Sequence, residues 1–163
     1  MKSKTERKLI KRESLKPKHH IDTCVIIESF CDTKLGSICK SYLNLTGIKY
    51  RGIFSLPMVG EFIIKVLTEA ENDLKKELDF KYFYELIDKN KIKFYVAKNP
   101  ALVVEIMKID PKLSHTDASI LACAIEDEAV LVTLDKNLID SKSAIQKFNV
   151  KILSPKKLVT NLF

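Results

Sequence analysis

A chain of 163 residues, 46% of them hydrophobic and 30% charged, is long enough to bury a core as one domain without staples from disulfides or metals. No apolar run approaches the ~20 residues of a membrane span, and the charged start lacks the apolar segment of a secretory signal, so a cytoplasmic protein with no membrane association is expected. The net charge of +7 is lopsided: residues 1–20 hold eight Lys or Arg against two Glu, or +6 of that total.

This imbalance divides the chain into a basic, flexible arm, residues 1–18, and a single domain, residues 19–163. Lys8, Lys11, Arg12, Lys16 and Lys18 are the arm's candidate RNA contacts, because clustered cations neutralise phosphates and speed association. A merely solubilising terminus has the same composition. Four cysteines, Cys24, Cys31, Cys39 and Cys123, lack paired zinc-ligand spacing and read as reduced packing residues.

After Pro17 comes HHIDTCVIIESF, in which Asp22 stands between Ile21 and the apolar run Val25–Ile27. That run fits either a strand or a buried helix. A carboxylate among apolar neighbours needs a partner, a metal or a helix-capping role. Residues 33–44 read as a helix followed by Gly47, and Tyr50–Ser55 as a strand. Ser55 is placed to cap a helix starting at Leu56-Pro57. There Val59, Phe62, Ile63, Val66 and Leu67 form the apolar stripe and Glu61 falls near the opposite, solvated side. Glu69–Asn90 continues helical, and Lys91–Ala97 alternates like a strand. Asn99-Pro100 caps a helix over Ala101–Lys108 that Pro111 ends.

The next stretch, SHTDASILACAIEDEAVLVTLDKN from Ser114 to Asn137, reads as a helix, a short Glu126-Asp127-Glu128 turn and a strand. A helix and a strand so joined run in opposite directions. Asp117 in the first helical turn and Asp135 past the strand therefore share one edge of a sheet. Ser114–Asp117 also matches a capping box, which explains Asp117 without chemistry, and Asp135 also suits a plain turn. Ser143–Phe148, Val150–Leu153 and Ser154-Pro155 open a helix, a strand and a terminal helix. Asp110, Asp140 and His115 read as turn, surface and cap residues.

Strands separated by helices predict a three-layer α/β/α sandwich around a mainly parallel sheet. Ligands bind such sheets outside the carboxyl ends of the strands, where Asp22, Asp117, Asp135 and, by its place near a helix start, Glu61 are expected. Hard oxygen donors there suit Mg²⁺ or Mn²⁺, which activate water and offset charge building on a phosphate. A phosphatase forming a phospho-aspartate wants a second Asp two residues after the first; Cys24 stands there instead.

The segments IDTCVIIES, SLPMVGEFI, TDASILACAIE, VLVTLDKNL and VKILSP resemble, in order and rough spacing over about residues 19 to 155, the PIN-domain ribonucleases. The resemblance implies RNA cleavage dependent on Mg²⁺ or Mn²⁺, with Asp22, Glu61, Asp117 and Asp135 as metal-site acids and catalytic residues and Thr133 supporting them. It also implies a possible homodimer and a protein partner: an antitoxin if the chain is VapC-like, a ribosome-assembly factor if it processes RNA. An RNA-binding scaffold with weak or no cleavage, acting in ribosome maturation or RNA surveillance, is the alternative. The basic arm and the helical region Glu69–Asn90 exceed a minimal toxin-type domain. Asn or Ser is common where Cys24 stands. The first strand is the polar Lys18-His19-His20-Ile21 where the family has apolar residues, which predicts an edge-exposed or shortened element.

Overall fold

The computed structural model describes residues 16–69, 75–89 and 91–159. Of the expected arm only Lys16, Pro17 and Lys18 are among these; Lys8, Lys11 and Arg12 lie outside the described residues. Five strands are present: β1 Lys18–Ile21, β2 Arg51–Ser55, β3 Ile92–Tyr95, β4 Val130–Val132 and β5 Ile152–Leu153. They form one sheet of order β3-β2-β1-β4-β5, with every pairing parallel. The connections are helical, as parallel strands require: α1 Thr23–Glu28 and α2 Lys34–Leu45, then α3 Leu56–Glu69 and α4 Lys75–Asp88. After β3 come α5 Pro100–Ile109 and α6 His115–Glu126, and after β4 α7 Lys136–Ile139 and α8 Lys142–Phe148. The short α9, Pro155–Val159, packs on α2. No helix among the described residues is long and apolar enough to cross a membrane.

The apolar run after Asp22 is helical, so β1 ends at Ile21 and the chain turns at once into α1, which buries Val25 and Ile26 completely. The Thr33 hydroxyl caps α2 by accepting the Gly36 N–H at 2.8 Å, and Asn99 caps α5 through the Ala101 N–H at 3.1 Å. Gly47, at φ +74°, makes the left-handed turn that leads into β2. Ser55 departs from expectation: it is the last residue of β2, and its buried hydroxyl makes no capping hydrogen bond.

Over the side chains described, the buried line of α3 departs from the expected stripe, of which Val66 and Leu67 lie outside the described side chains. Met58 and Phe62 are fully buried, Val59 is half-buried, and Ile63 is 44% exposed. Phe62 is anchored by Phe83 at 4.4 Å between ring centroids, Phe54 at 6.3 Å and Phe30 at 6.4 Å. Because the buried line runs through Met58 and Phe62, Glu61 lies at its margin, half-buried, and not on the opposite face.

The polar first strand is short but is not at an edge: β1 is the central strand, with His19 2% and His20 0% exposed. Each ring finds partners on its own side of the sheet. His19 stacks on Tyr50 with centroids 4.1 Å apart and lies 3.1 Å from the Tyr42 hydroxyl through Nδ1. His20 meets Tyr95 edge-on at 5.2 Å, and its Nε2 is 3.3 Å from Asp127 Oδ2. Asp127 also accepts from Lys18 Nζ at 2.6 Å, while Glu126 accepts the Lys98 and Asn99 N–H groups at 2.9 and 2.6 Å. The acidic turn is therefore a structural hub at the amino ends of the strands.

Burial pushes both histidines down to about 4, helped by Lys151 at His19; at His20 Asp127 opposes burial, and Lys18 works with it. The unfolded chain then binds protons from about pH 6.5 downward that the fold refuses until about pH 4. Stability should fall through that window by on the order of 3 kcal/mol per histidine and level off below it. Urea unfolding measured at steps from pH 7 to pH 4 checks this; a midpoint that does not move across the window contradicts it.

Candidate functional site

The parallel register fixes the first acid. Ile21 pairs with Val132, and the Asp22 N–H extends that ladder by donating to the Val132 carbonyl at 2.9 Å. Asp22 therefore emerges beside Thr133 at the carboxyl edge of the two middle strands. It occupies the cap position of α1, but its side chain makes no capping bond. Instead Oδ2 accepts the Thr133 hydroxyl at 2.5 Å and the Cys24 thiol at 3.1 Å. Thr133 Oγ1 also accepts the Asp135 N–H at 2.9 Å, so one hydroxyl ties the positions of two acids together.

Asp22 is only 5% exposed. Burial raises its pKa above the ordinary carboxylate range, the hydrogen bonds from Thr133 and Cys24 pull it back, and the charge of Glu61 raises it again. This last effect places Glu61 of α3 within electrostatic reach of Asp22. The Thr23 hydroxyl, donating to the Met58 carbonyl at 3.3 Å, joins the first turns of α1 and α3 and so holds that relation. Glu61 itself pairs with Lys65, one turn later, at 2.8 Å.

The other acids are held locally. Asp117 completes the capping box of α6: its Oδ2 accepts the Ser114 N–H at 3.0 Å and the Ser114 hydroxyl at 2.7 Å, and the Ser114 hydroxyl accepts the Asp117 N–H at 3.1 Å. Asp135 caps α7 through Oδ1, which accepts the Asn137 N–H at 2.7 Å. Helix α6 runs back along the sheet from the carboxyl edge, so all four acids stand at that edge. Contact is closest among Asp22, Thr133 and the Asp135 backbone, with Glu61 acting through its field. Among the described residues no three His, Cys, Asp or Glu side chains are placed to grip a metal ion together.

The oxygen donors nonetheless suit a hard divalent cation. A buried carboxylate burdened by a neighbouring one gains most from added positive charge, and Mg²⁺ needs only one or two protein carboxylates with water completing its shell.

Sequence reasoning treated Cys24 as a packing cysteine, whereas its thiol spans the site: it donates to Asp22, lies 3.6 Å from Thr133 Oγ1 and accepts the Leu134 N–H at 3.3 Å. Burial, with the Asp22 charge, pushes this thiol up to about 12, so it remains protonated and is a donor, not a nucleophile. Its spacing two residues from Asp22, in the first turn of α1, was the available signal. Lys65 was missed as well; its place four residues after Glu61 was the sign. Asp110 has a structural role, accepting the Ser141 hydroxyl at 2.6 Å, and Asp140 ends α7. His115 is the exposed first residue of α6.

Two of the arm's candidate contacts belong to the fold. Lys18 is a strand residue bound to Asp127, and Lys16 donates to the Gly47 carbonyl at 2.7 Å. Both sit at the amino edge, about 13 Å along β1 from the acids. A cavity of about 410 Å³ lined by Lys18, Ile125, Val130, Phe148 and Lys151 opens at that same edge and does not touch the acids.

Comparison with solved structures finds the same architecture. PAE2754 from Pyrobaculum aerophilum has a TM-score of 0.63 at 14% identity, covering 90% of this chain and 89% of that one. FitAcB from Neisseria gonorrhoeae gives 0.61 at 17% identity, over 85% of this chain and 98% of that one. VapBC2 from Rickettsia felis, bound to a DNA fragment from its promoter, gives 0.60 at 16% identity, over 84% and 98%. No curated protein matches the sequence. The family model described as PIN domain matches residues 20–142, from the middle of β1 to the start of α8, and the chain belongs to the PIN domain family.

Proposed function

We propose that this protein is a Mg²⁺- or Mn²⁺-dependent endoribonuclease whose chemistry takes place at the carboxyl edge of β1 and β4. One observation carries the reading: a buried Asp22 carboxylate, oriented by Thr133 and loaded by the charge of Glu61, at the ligand-binding edge of a PIN-domain sheet. Asp22 would hold the ion, with Glu61, Asp117 and Asp135 drawn toward it on binding, and the ion would activate water and offset charge on the phosphate during in-line displacement. The chain's own contribution is orientation. Thr133 fixes the rotamer of Asp22 and the backbone of Asp135, the Cys24 thiol adds a second donor to Asp22, and the α6 capping box pins Asp117. These bonds lower the cost of gathering like charges before a cation arrives.

A second reading is RNA binding with weak or no cleavage. It draws on Glu61 being paired with Lys65 and on Asp117 being used as a helix cap. For partners, the likeness to FitAcB and VapBC2 supports a small partner protein of the antitoxin kind, and a homodimer belongs to the same proposal. A ribosome-assembly partner goes with the second reading. A single domain that takes in Lys16 and Lys18, the residues before them as an RNA-contacting arm, and action in the cytoplasm complete it.

Cleavage of a labelled RNA by the full chain with Mn²⁺ should be abolished by EDTA and lowered at least about 100-fold by Asp22→Asn and by Asp117→Asn. Asn at position 117 keeps an acceptor for Ser114, so its melting curve should remain within about 1 kcal/mol of wild type. Full cleavage by both variants would sink the nuclease reading.

Thr133→Val keeps the side-chain shape and removes the hydroxyl. It should weaken Mn²⁺ binding by about 10- to 100-fold, as loss of a ligand-orienting group does, and calorimetric titration measures this. Unaltered affinity would mean that Thr133 serves the fold alone.

Deleting residues 2–15, which spares the Lys16–Gly47 bond, should lower RNA affinity. It should also flatten the plot of log K against log salt by roughly 0.7 for each phosphate that the arm no longer neutralises. An unchanged slope would remove the arm from the binding surface.

A further inference from the structure

Helix α3 brings a cation of the protein's own into the acidic edge. Lys65 follows Glu61 by four residues, so the two side chains project from the same side of the helix one turn apart, and Nζ lies 2.8 Å from Oε1. Met58 and Phe62, buried beside them, fix the rotation of the helix, and the Thr23–Met58 bond fixes its position against α1. The Asp22 charge acts on Lys65 as well as on Glu61. The Lys65 ammonium is thus paired with Glu61 and feels the charge of the buried Asp22.

We propose that Lys65 is a tethered counter-ion that holds Glu61 in the metal-free protein and must leave it for a divalent cation to bind. This inference rests on the metal-dependent reading given above and adds regulation to it. A lysine suits the task because its ammonium is a compact point charge on a flexible four-carbon stem. Both partners are partly exposed, and an exposed i, i+4 pair contributes little, so the bond is easily exchanged. A divalent ion brings twice the charge and accepts several oxygens at once, which an ammonium cannot do. The pair therefore keeps Glu61 beside Asp22 when no metal is present and sets a threshold of metal concentration below which the edge is neutralised from within.

The test is calorimetric titration of Mn²⁺ into the full chain, with no RNA present, for wild type, Lys65→Met, Glu61→Gln and the double variant. Circular dichroism melts confirm that each is folded. Lys65→Met should bind Mn²⁺ roughly five- to tenfold more tightly than wild type, the order of effect of removing one paired charge. In the Glu61→Gln background the same substitution should change affinity less than about twofold. An equal gain in both backgrounds would make Lys65 a distant repelling charge and overturn the displacement, as would unchanged or weaker binding by Lys65→Met. If no protein of the four, wild type included, binds Mn²⁺, the metal-dependent reading itself falls and this inference with it.

Discussion

The hydrogen bond from Thr133 to Asp22 is the constraint on which the acidic edge depends. Asp22 is buried, and a buried carboxylate without donors costs several kcal/mol. Its side-chain donors come from the segment beyond β4 and from one helix: Thr133, whose oxygen in turn accepts the Asp135 N–H, and Cys24 in α1. None of these would meet unless β1 and β4 paired with Ile21 opposite Val132. A slip of one residue would point the side chains of β1 to the wrong faces and leave Asp22 without its hydroxyl. Register, helix start and site geometry are thus one condition satisfied by one set of bonds.

The same sheet solves the opposite problem at its other end. A central strand reading Lys-His-His-Ile breaks the rule that buried parallel strands are apolar runs. It is tolerated because Asp127 receives both Lys18 and His20 Nε2 and Tyr42 with Tyr50 encloses His19, although His20 Nδ1 is buried without a hydrogen-bond partner. Lys16 and Lys18 therefore sit at the amino ends of the strands and the candidate metal ligands at the carboxyl ends, Lys18 about 13 Å along β1 from Asp22.

Much of this was legible in the residues. The alternation of strand and helix patterns reveals the parallel sandwich, and the caps Asn99 and Ser114 mark helix starts that the structure keeps. What stayed hidden shares one cause: it depends on contacts between distant segments. The polarity of Lys18-His19-His20-Ile21 points to an edge-exposed or shortened strand because it does not show Tyr42, Tyr50, Tyr95 and Asp127 facing the two rings. Periodicity turns Glu61 to solvent because Ile63 and Phe62 weigh alike on a hydrophobicity scale, whereas only Phe62 meets Phe83. Cys24 reads as filler because a thiol's role as donor depends on what faces it.

Capping and ligation are often set against each other as explanations for an acid at a helix start, but the caps of α6 and α7 use one carboxylate oxygen each. Both bonds from Ser114 fall on Oδ2 of Asp117, and the bond from Asn137 falls on Oδ1 of Asp135. An ionised carboxylate has two oxygens and about four lone-pair sites, so a cap that engages one oxygen restricts the rotamer and leaves the other as a donor. The capping box then lowers the entropy lost when an ion binds, since the side chain is already held. An Asp at N3 of α6 would thus ligate a cation the better for being a cap, and the local signal that offers an innocent account of Asp117 describes the means by which it would be aimed.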